Sequence, residues 1–383
     1  MLLAFSSLCC TLFAAAQDVP ARVLELPPGP GNPRNSEGAF IATKDGRILF
    51  VYSHYTAGKG GDHDPAYLAE RFSSDSGKTW SPQDRIIVEQ SGGMNVMSVS
   101  LLRLQGGELA LFYLLKNSTT DCRPMLRLST DEGATWGAPT TCITDEIGYY
   151  VMNNDRAIQL KSGRLVLPVC LHTVKGNPRM DMQGTLMCYL SDDNGKTWRR
   201  SSTAQKGYDQ TGKRITTQEP GVVELKDGRV MMFIRTDGGC QYLAYSQDGA
   251  DHWTAPVAST LASPVSPASI KRLPKTGDLL LVWNDHANIP ASLNKRRVPL
   301  SMALSKDDGK TWQRAKVLEG NPKGWYCYIA MHPLDDAVLL GYCAMSSLKH
   351  SRLTRIPLAW LYADAPPAGA PATPDSLNGF FND

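Results

Sequence analysis

Ser73-Ser74-Asp75-Ser76-Gly77-Lys78-Thr79-Trp80 decides the fold, because close copies recur at 129–136, 191–198 and 305–312 and a decayed one at 246–253. The residue types describe a tight hairpin in which Asp caps its own turn, Gly supplies a positive φ and Trp anchors the corner in the core. Five of the eight tryptophans occupy this position. The copies start 56, 62, 55 and 59 residues apart, a period too long for helical repeats and suited to a four-stranded blade with its loops.

A second period runs in step with the first. A turn followed by an apolar, β-rich run appears at Gly46-Arg47-Ile48-Leu49-Phe50, Gly107-Glu108-Leu109, Gly163-Arg164-Leu165, Gly228-Arg229-Val230, Gly277-Asp278-Leu279 and Asp336-Ala337-Val338-Leu339-Leu340. Six such turns predict an all-β, six-bladed β-propeller. Helical spacing is nearly absent, and 33 Gly with 25 Pro suit many short strands joined by turns.

The 383 residues are 42% hydrophobic and 20% charged, the balance of a soluble globular protein. A net charge of +3, with no long Lys/Arg run, argues against nucleic acid or a membrane surface as partner. Residues 1–16 are apolar and end in Ala14-Ala15-Ala16, which reads as an export signal peptide and places the mature chain outside the cytoplasm, secreted or periplasmic. The expected division is therefore a leader over 1–16, a propeller over 17–364 and a flexible Pro/Ala-rich tail over 365–383. Of the nine cysteines, seven remain after Cys9 and Cys10 leave with the leader. Cys170, Cys188, Cys240 and Cys343 read as buried small hydrophobes, while Cys122 and Cys142 flank one blade segment in a way that permits a bridge. No Cys-x-x-Cys spacing exists, and neither metal nor cofactor is expected.

In a propeller the innermost strands run along the central channel, so the residues just before them converge at one mouth. Nine residues before the turn glycine stand Glu37, Ser98, Asn154 and Glu219 in the first four units. Two carboxylates and an amide thus share one rim, with arginines nearby. The octapeptides serve the outer turns, and the chemistry belongs at the axis.

With these residues in view, the chain resembles the sialidase superfamily, whose Asp boxes the octapeptides match. The resemblance spans nearly the whole mature chain. It implies an acid/base in a first-blade loop, Asp62 in Gly60-Gly61-Asp62-His63-Asp64, and Glu219 in Gln218-Glu219-Pro220-Gly221 as partner of a nucleophile. It also implies Arg235 in Phe233-Ile234-Arg235-Thr236 and Arg297 in Arg296-Arg297-Val298-Pro299 as carboxylate ligands, and Tyr328 in Tyr326-Cys327-Tyr328-Ile329 as the nucleophile. The set is chemically coherent. A sialic acid carries its carboxylate on the reacting carbon, so a neutral tyrosine, deprotonated by a neighbouring carboxylate, approaches without like-charge repulsion. The implied activity is an exo-acting, retaining glycoside hydrolase, active as a monomer, that releases a terminal sialic acid or related acidic sugar from glycans.

The chain departs from the family where Arg-Ile-Pro usually opens the first inner strand, reading Arg34-Asn35-Ser36-Glu37-Gly38 instead. An acid falls where the family arginine stands, and Arg34 is left as a candidate replacement. A further family arginine is absent from Ser53-His54-Tyr55-Thr56. Arg156 is another candidate anion contact. Tyr326 competes with Tyr328, although the apolar run after Tyr328 favours the latter. His54 and His63 beside Asp62 and Asp64 raise a metal site that no paired His spacing supports, and His286 is either a substrate contact or a solvated loop histidine. Two other functions stay open: action on a different anionic polysaccharide, by hydrolysis or elimination, and carbohydrate binding without catalysis.

Overall fold

The computed structural model describes residues 19–177, 179–345, 347–363 and 379–381, and in it every copy of the octapeptide is built alike. Ser73 Oγ accepts the Gly77 N–H at 2.9 Å and donates to Asp75 at 2.8 Å, while Asp75 accepts the Thr79 N–H at 2.9 Å and its hydroxyl at 2.7 Å. The same bonds recur around Asp131, Asp193 and Asp307. In the decayed copy His252 replaces the threonine, and Ala250 takes φ 71° where the others have glycine. At two of these glycines a side chain would press on a neighbouring blade. A Cβ on Gly77 would lie 2.6 Å from Leu339, and one on Gly195 2.3 Å from Leu126, each a leucine of the preceding blade.

The hairpins assemble into antiparallel meanders. The first comprises Arg34–Ala42, Ile48–Tyr55, Ala66–Ser73 and Arg85–Val88. The second runs through Asn95–Arg103, Leu109–Ser118, Asp121–Ser129 and Thr140–Thr141. The third has an inner strand in two pieces, Gly148–Val151 and Ile158–Gln159, followed by Leu165–Val174, Thr185–Ser191 and Arg199–Arg200. A parallel pairing of Tyr149 with Cys122 joins these two meanders into one sheet. The fourth is Thr217–Glu224, Val230–Thr236, Cys240–Ser246 and Val257–Ala262, and the fifth Ser269–Arg272, Leu279–Trp283, Leu300–Ser305 and Gln313–Glu319. The sixth is Cys327–Pro333, Ala337–Ala344 and His350–Pro357, completed by Ala21–Leu26 from the start of the described chain.

The described strands thus form a propeller of six meanders whose last blade is clasped by the first strand. The inner strand of the first blade packs against those of both the second and the sixth, so the ring is closed. The core lies between blades, where large side chains interleave. Phe40, Phe50 and Trp80 pack with ring centroids 4.7 to 6.3 Å apart, each burial contributing about 1.5–3 kcal/mol.

The expected flexible tail is corrected at its end. Phe380 N–H and Phe381 N–H donate to Val317 and Leu318 carbonyls at 3.0 and 2.8 Å, and the Arg22 guanidinium lies 4.1 Å from the Phe381 ring centre. Two aromatic residues after the Pro/Ala-rich stretch meet the open edge of the fifth blade, which composition alone did not reveal. Residues 1–16 and the rest of the tail lie outside the described residues. Cys122 and Cys142 are buried free thiols in one apolar cluster, so the permitted bridge is not formed. No helix among the described residues is long and apolar enough to cross a membrane.

Candidate active site

One backbone device aims the channel-facing residues. Glu37, Ser98, Glu219 and Tyr328 have φ between 45° and 59°, each within a register shift of its inner strand. Such a bulge in a non-glycine residue is strained and persists because the surrounding sheet holds it. In the third blade the positive φ falls on Asp155, one residue later than counting back from Gly163 predicts. Asn154 instead lies on the axis beneath the site, its amide donating to the carbonyls of Gly38 at 2.7 Å and Tyr328 at 3.1 Å. Asp155 accepts the Met331 N–H at 2.8 Å and Lys271 at 2.6 Å. Both tie blades together rather than line the mouth.

Above this plug opens a cavity of about 400 Å³ whose walls include Glu37, Asp62, Glu219, Arg235, Arg297 and Tyr328. Glu219 Oε2 stands 2.8 Å from Arg235 Nη1, a close ion pair not aligned as a hydrogen bond. The Arg297 guanidinium lies 5.3 Å from the centre of the Tyr328 ring and 5.4 Å from that of Trp325. Its Nη1 is buried without a hydrogen-bond partner, a donor left open for a ligand. His286 braces this arginine: its Nε2 lies 3.1 and 3.2 Å from the carbonyls of Arg296 and Val298, so it donates from that nitrogen. Burial, and the Glu219 charge beside it, push the Tyr328 phenol well above its ordinary pKa.

Across the cavity, Asp62 sits on a loop pinned from below. Its carbonyl accepts the Asn95 amide at 3.0 Å and the Lys116 ammonium at 2.6 Å, and Asp64 closes the loop by accepting the Gly61 N–H at 2.7 Å. Arg34 does not line the cavity; it lies buried behind, 2.5 Å from Asp62 and 3.7 Å from Glu37. Burial raises the Asp62 carboxyl, but the charge and hydrogen bond of Arg34 outweigh it and hold the group below the usual range. Burial raises Glu37 to about 7 against the pull of Arg34, with Asp62 and Glu219 adding to the rise. Glu37 Oε2 is buried and has no hydrogen-bond partner.

Two expected contacts are elsewhere. Arg156 is buried between blades, donating to the Ala268 carbonyl at 2.7 Å and Ser269 at 3.2 Å; its position after the shifted bulge turns it away from the mouth. Tyr326 is buried behind the site, its ring 6.5 Å from that of Tyr342. His54 points to Asp84 and stacks on Tyr67, far from a shared site with His63, and among the described residues no three His, Cys, Asp or Glu side chains converge to hold a metal.

Lys116 and His172 were missed. Both line the cavity, and each interrupts an otherwise apolar strand, the one signal in the sequence that marks them. Burial lowers the His172 pKa, and its Nδ1 lies 2.8 Å from the Asp181 carbonyl, which leaves a neutral ring with an unpartnered Nε2 facing the cavity. A wider groove of about 560 Å³ adjoins the cavity, sharing Met180 and Met182 but none of the ionisable groups described above.

The clustered cations, channel bulges and Asp boxes define a β-propeller of the sialidase type. Residues 89–340 match the BNR repeat-like domain family, and the chain belongs to it, within the sialidase/BNR superfamily. It is similar to a sialidase of Bacteroides fragilis, 28% identical over 249 residues, covering 61% of this chain and 41% of that one. A sialidase of Micromonospora viridifaciens is 27% identical over 369 residues, covering 86% of this chain and 52% of the relative. The chain spans about half the length of these relatives. Among solved structures, Trypanosoma rangeli sialidase in complex with 2,3-difluorosialic acid as a covalent intermediate shares the fold with TM-score 0.63 and 16% identity, covering 86% of this chain and 55% of that one. A protein of Dyadobacter fermentans aligns with TM-score 0.67 and 19% identity, over 88% of this chain and 99% of its own.

Proposed function

We propose that the domain expected over 17–364 is a secreted, exo-acting, retaining glycoside hydrolase that releases a terminal sialic acid or a related acidic sugar from glycoconjugates. The observation that carries this reading is the meeting of Tyr328, Glu219, Arg235 and Arg297 on one wall of a cavity with Asp62 on another. The sugar carboxylate lies between Arg235 and Arg297, held by charge-assisted forks. Tyr328 attacks the anomeric carbon as Glu219 takes the phenolic proton and Asp62 protonates the leaving oxygen. Water activated by Asp62 then displaces the tyrosine, so two inversions retain configuration.

Glu37 supports a second reading within the same class, an acidic sugar other than the commonest sialic acid, because its buried carboxyl, whose Oε2 has no hydrogen-bond partner, occupies the rim where the family carries an arginine. A panel of fluorogenic glycosides containing a sialoside, a uronide and a neutral hexoside separates the cases. Turnover of the sialoside, with NMR showing retention, supports the reading; turnover of the neutral hexoside alone defeats it.

A further inference from the structure

Cys327 and Cys343 stand directly opposite each other in the sixth blade, as register partners on the antiparallel strands Cys327–Pro333 and Ala337–Ala344. Directly opposed residues of an antiparallel pair have Cα atoms about 4.5–5.5 Å apart, within the span a disulfide bridges. Among the described residues no other two cysteines are register partners. Both side chains are buried, and both are free thiols in this structure. Cys327 immediately precedes Tyr328, and the positive charge of Arg297 favours its thiolate. Cys343 Sγ lies 3.3 Å from Ser36 Oγ and 3.5 Å from the carbonyl of Leu348, a residue of the cavity wall.

We infer that Cys327 and Cys343 form a cross-strand disulfide beneath the active-site tyrosine, made by exchange with a small-molecule disulfide while the last blade is closing. Cys327 is the attacking thiol, since, against burial, the Arg297 charge beside it helps hold its pKa below the ordinary thiol value. Its thiolate attacks one sulfur of the small disulfide and expels the first small thiol. Cys343 then loses its proton, attacks the Cys327 sulfur of the mixed disulfide and expels the second. Two protein thiols are oxidised and one small disulfide is reduced to two thiols. The bond locks the strand that carries Tyr328.

The test reads covalent connectivity, so it stands or falls separately from the hydrolase assignment. The full chain is refolded in a buffer of reduced and oxidised glutathione, denatured, alkylated without reduction and digested with trypsin. Both cysteines lie on the peptide spanning 324–349. That peptide is expected two hydrogen atoms lighter and unalkylated, and to take up two alkyl groups only after reduction. Cleavage before Asp335 is expected to leave two fragments joined. In a Cys343→Ser chain the resolving thiol is gone, so Cys327 is expected to remain as the mixed disulfide with glutathione and to alkylate only after reduction. Recovery of both cysteines alkylated from the oxidised wild-type protein, or of a Cys122–Cys142 link in their place, overturns the inference.

Discussion

Arg34 and Asp62 form an ion pair at 2.5 Å in which the cation is buried and the carboxylate remains 58% exposed. The arginine that the sequence left as a stand-in for a missing carboxylate ligand is thus committed to the acid/base loop. Its second arm faces Glu37 at 3.7 Å, so one guanidinium links the proposed general acid to the acid that replaces a family arginine. The pairing favours ionised Asp62, whereas the first chemical step needs it protonated.

The alkaline limb of activity should reflect this. Because Arg34 holds Asp62 below its usual range, kcat/KM on substrates that need leaving-group protonation should fall as pH rises above the carboxyl's lowered pKa. Arg34→Gln should move that fall to higher pH. A pH–rate profile of the variant superimposable on wild type would remove Arg34 from the acid/base function.

For the nucleophile, Tyr328→Phe should lower kcat by about a thousandfold or more while substrate affinity, measured by calorimetry, changes little. The phenol acts in bond formation, and the ring still fills its place beside Arg297. Near-normal turnover would exclude a tyrosyl intermediate.

Arg235→Met and Arg297→Met should behave differently from the tyrosine variant. Each removes a charge-assisted contact worth about 1.5–3 kcal/mol, which corresponds to a KM roughly ten- to a hundredfold higher for an acidic sugar. Neutral analogues should be affected much less, and equal losses on both substrate types would argue against carboxylate binding.

Glu37 provides the neutral-pH signature. Its folded pKa of about 7 lies above the unfolded value of 4.5, so between those limits the native state keeps a proton that the unfolded chain releases. Stability should therefore fall as pH rises from 4.5 to 7, by at most about 3 kcal/mol, and Glu37→Gln should flatten that slope. Above pH 7 the ionised group adds a negative charge to the cavity, so KM for an acidic sugar should rise in wild type and not in the variant. Urea melts and kinetics at several pH values check both limbs.

At the periphery, Asp75→Ala should lower the urea midpoint by an amount equivalent to about 1–2 kcal/mol without changing KM. It removes the acceptor for the Thr79 N–H and hydroxyl and the Ser73 hydroxyl. A change in KM instead would tie the Asp box to the substrate.

The local chemistry of eight residues was legible in the sequence because an Asx-type turn closes within itself: Ser73, Asp75, Gly77, Lys78 and Thr79 bond to one another inside it. Repetition of that unit determined the blade period, and counting from the inner-turn glycine located Glu37, Ser98 and Glu219, because the intervening strand has a constant length. Tyr328, in a blade lacking that glycine, came from the resemblance to the sialidase superfamily, and the apolar run after it favoured it over Tyr326.

What only the tertiary structure decided concerns residues whose partners lie far along the chain. A one-residue shift of the third-blade bulge placed Asp155 at the strained position and turned Arg156 toward Ala268, 112 residues away. Lys116 reached the site because its ammonium meets the Asp62 carbonyl across two blades, and Ala21–Leu26 became the last blade's fourth strand by pairing with His350–Pro357. Turn and strand periods are dictated by neighbours a few residues apart and can be read in order. Which way a channel side chain points depends on bulge register and on atoms supplied by other blades, and these come together only when the ring closes.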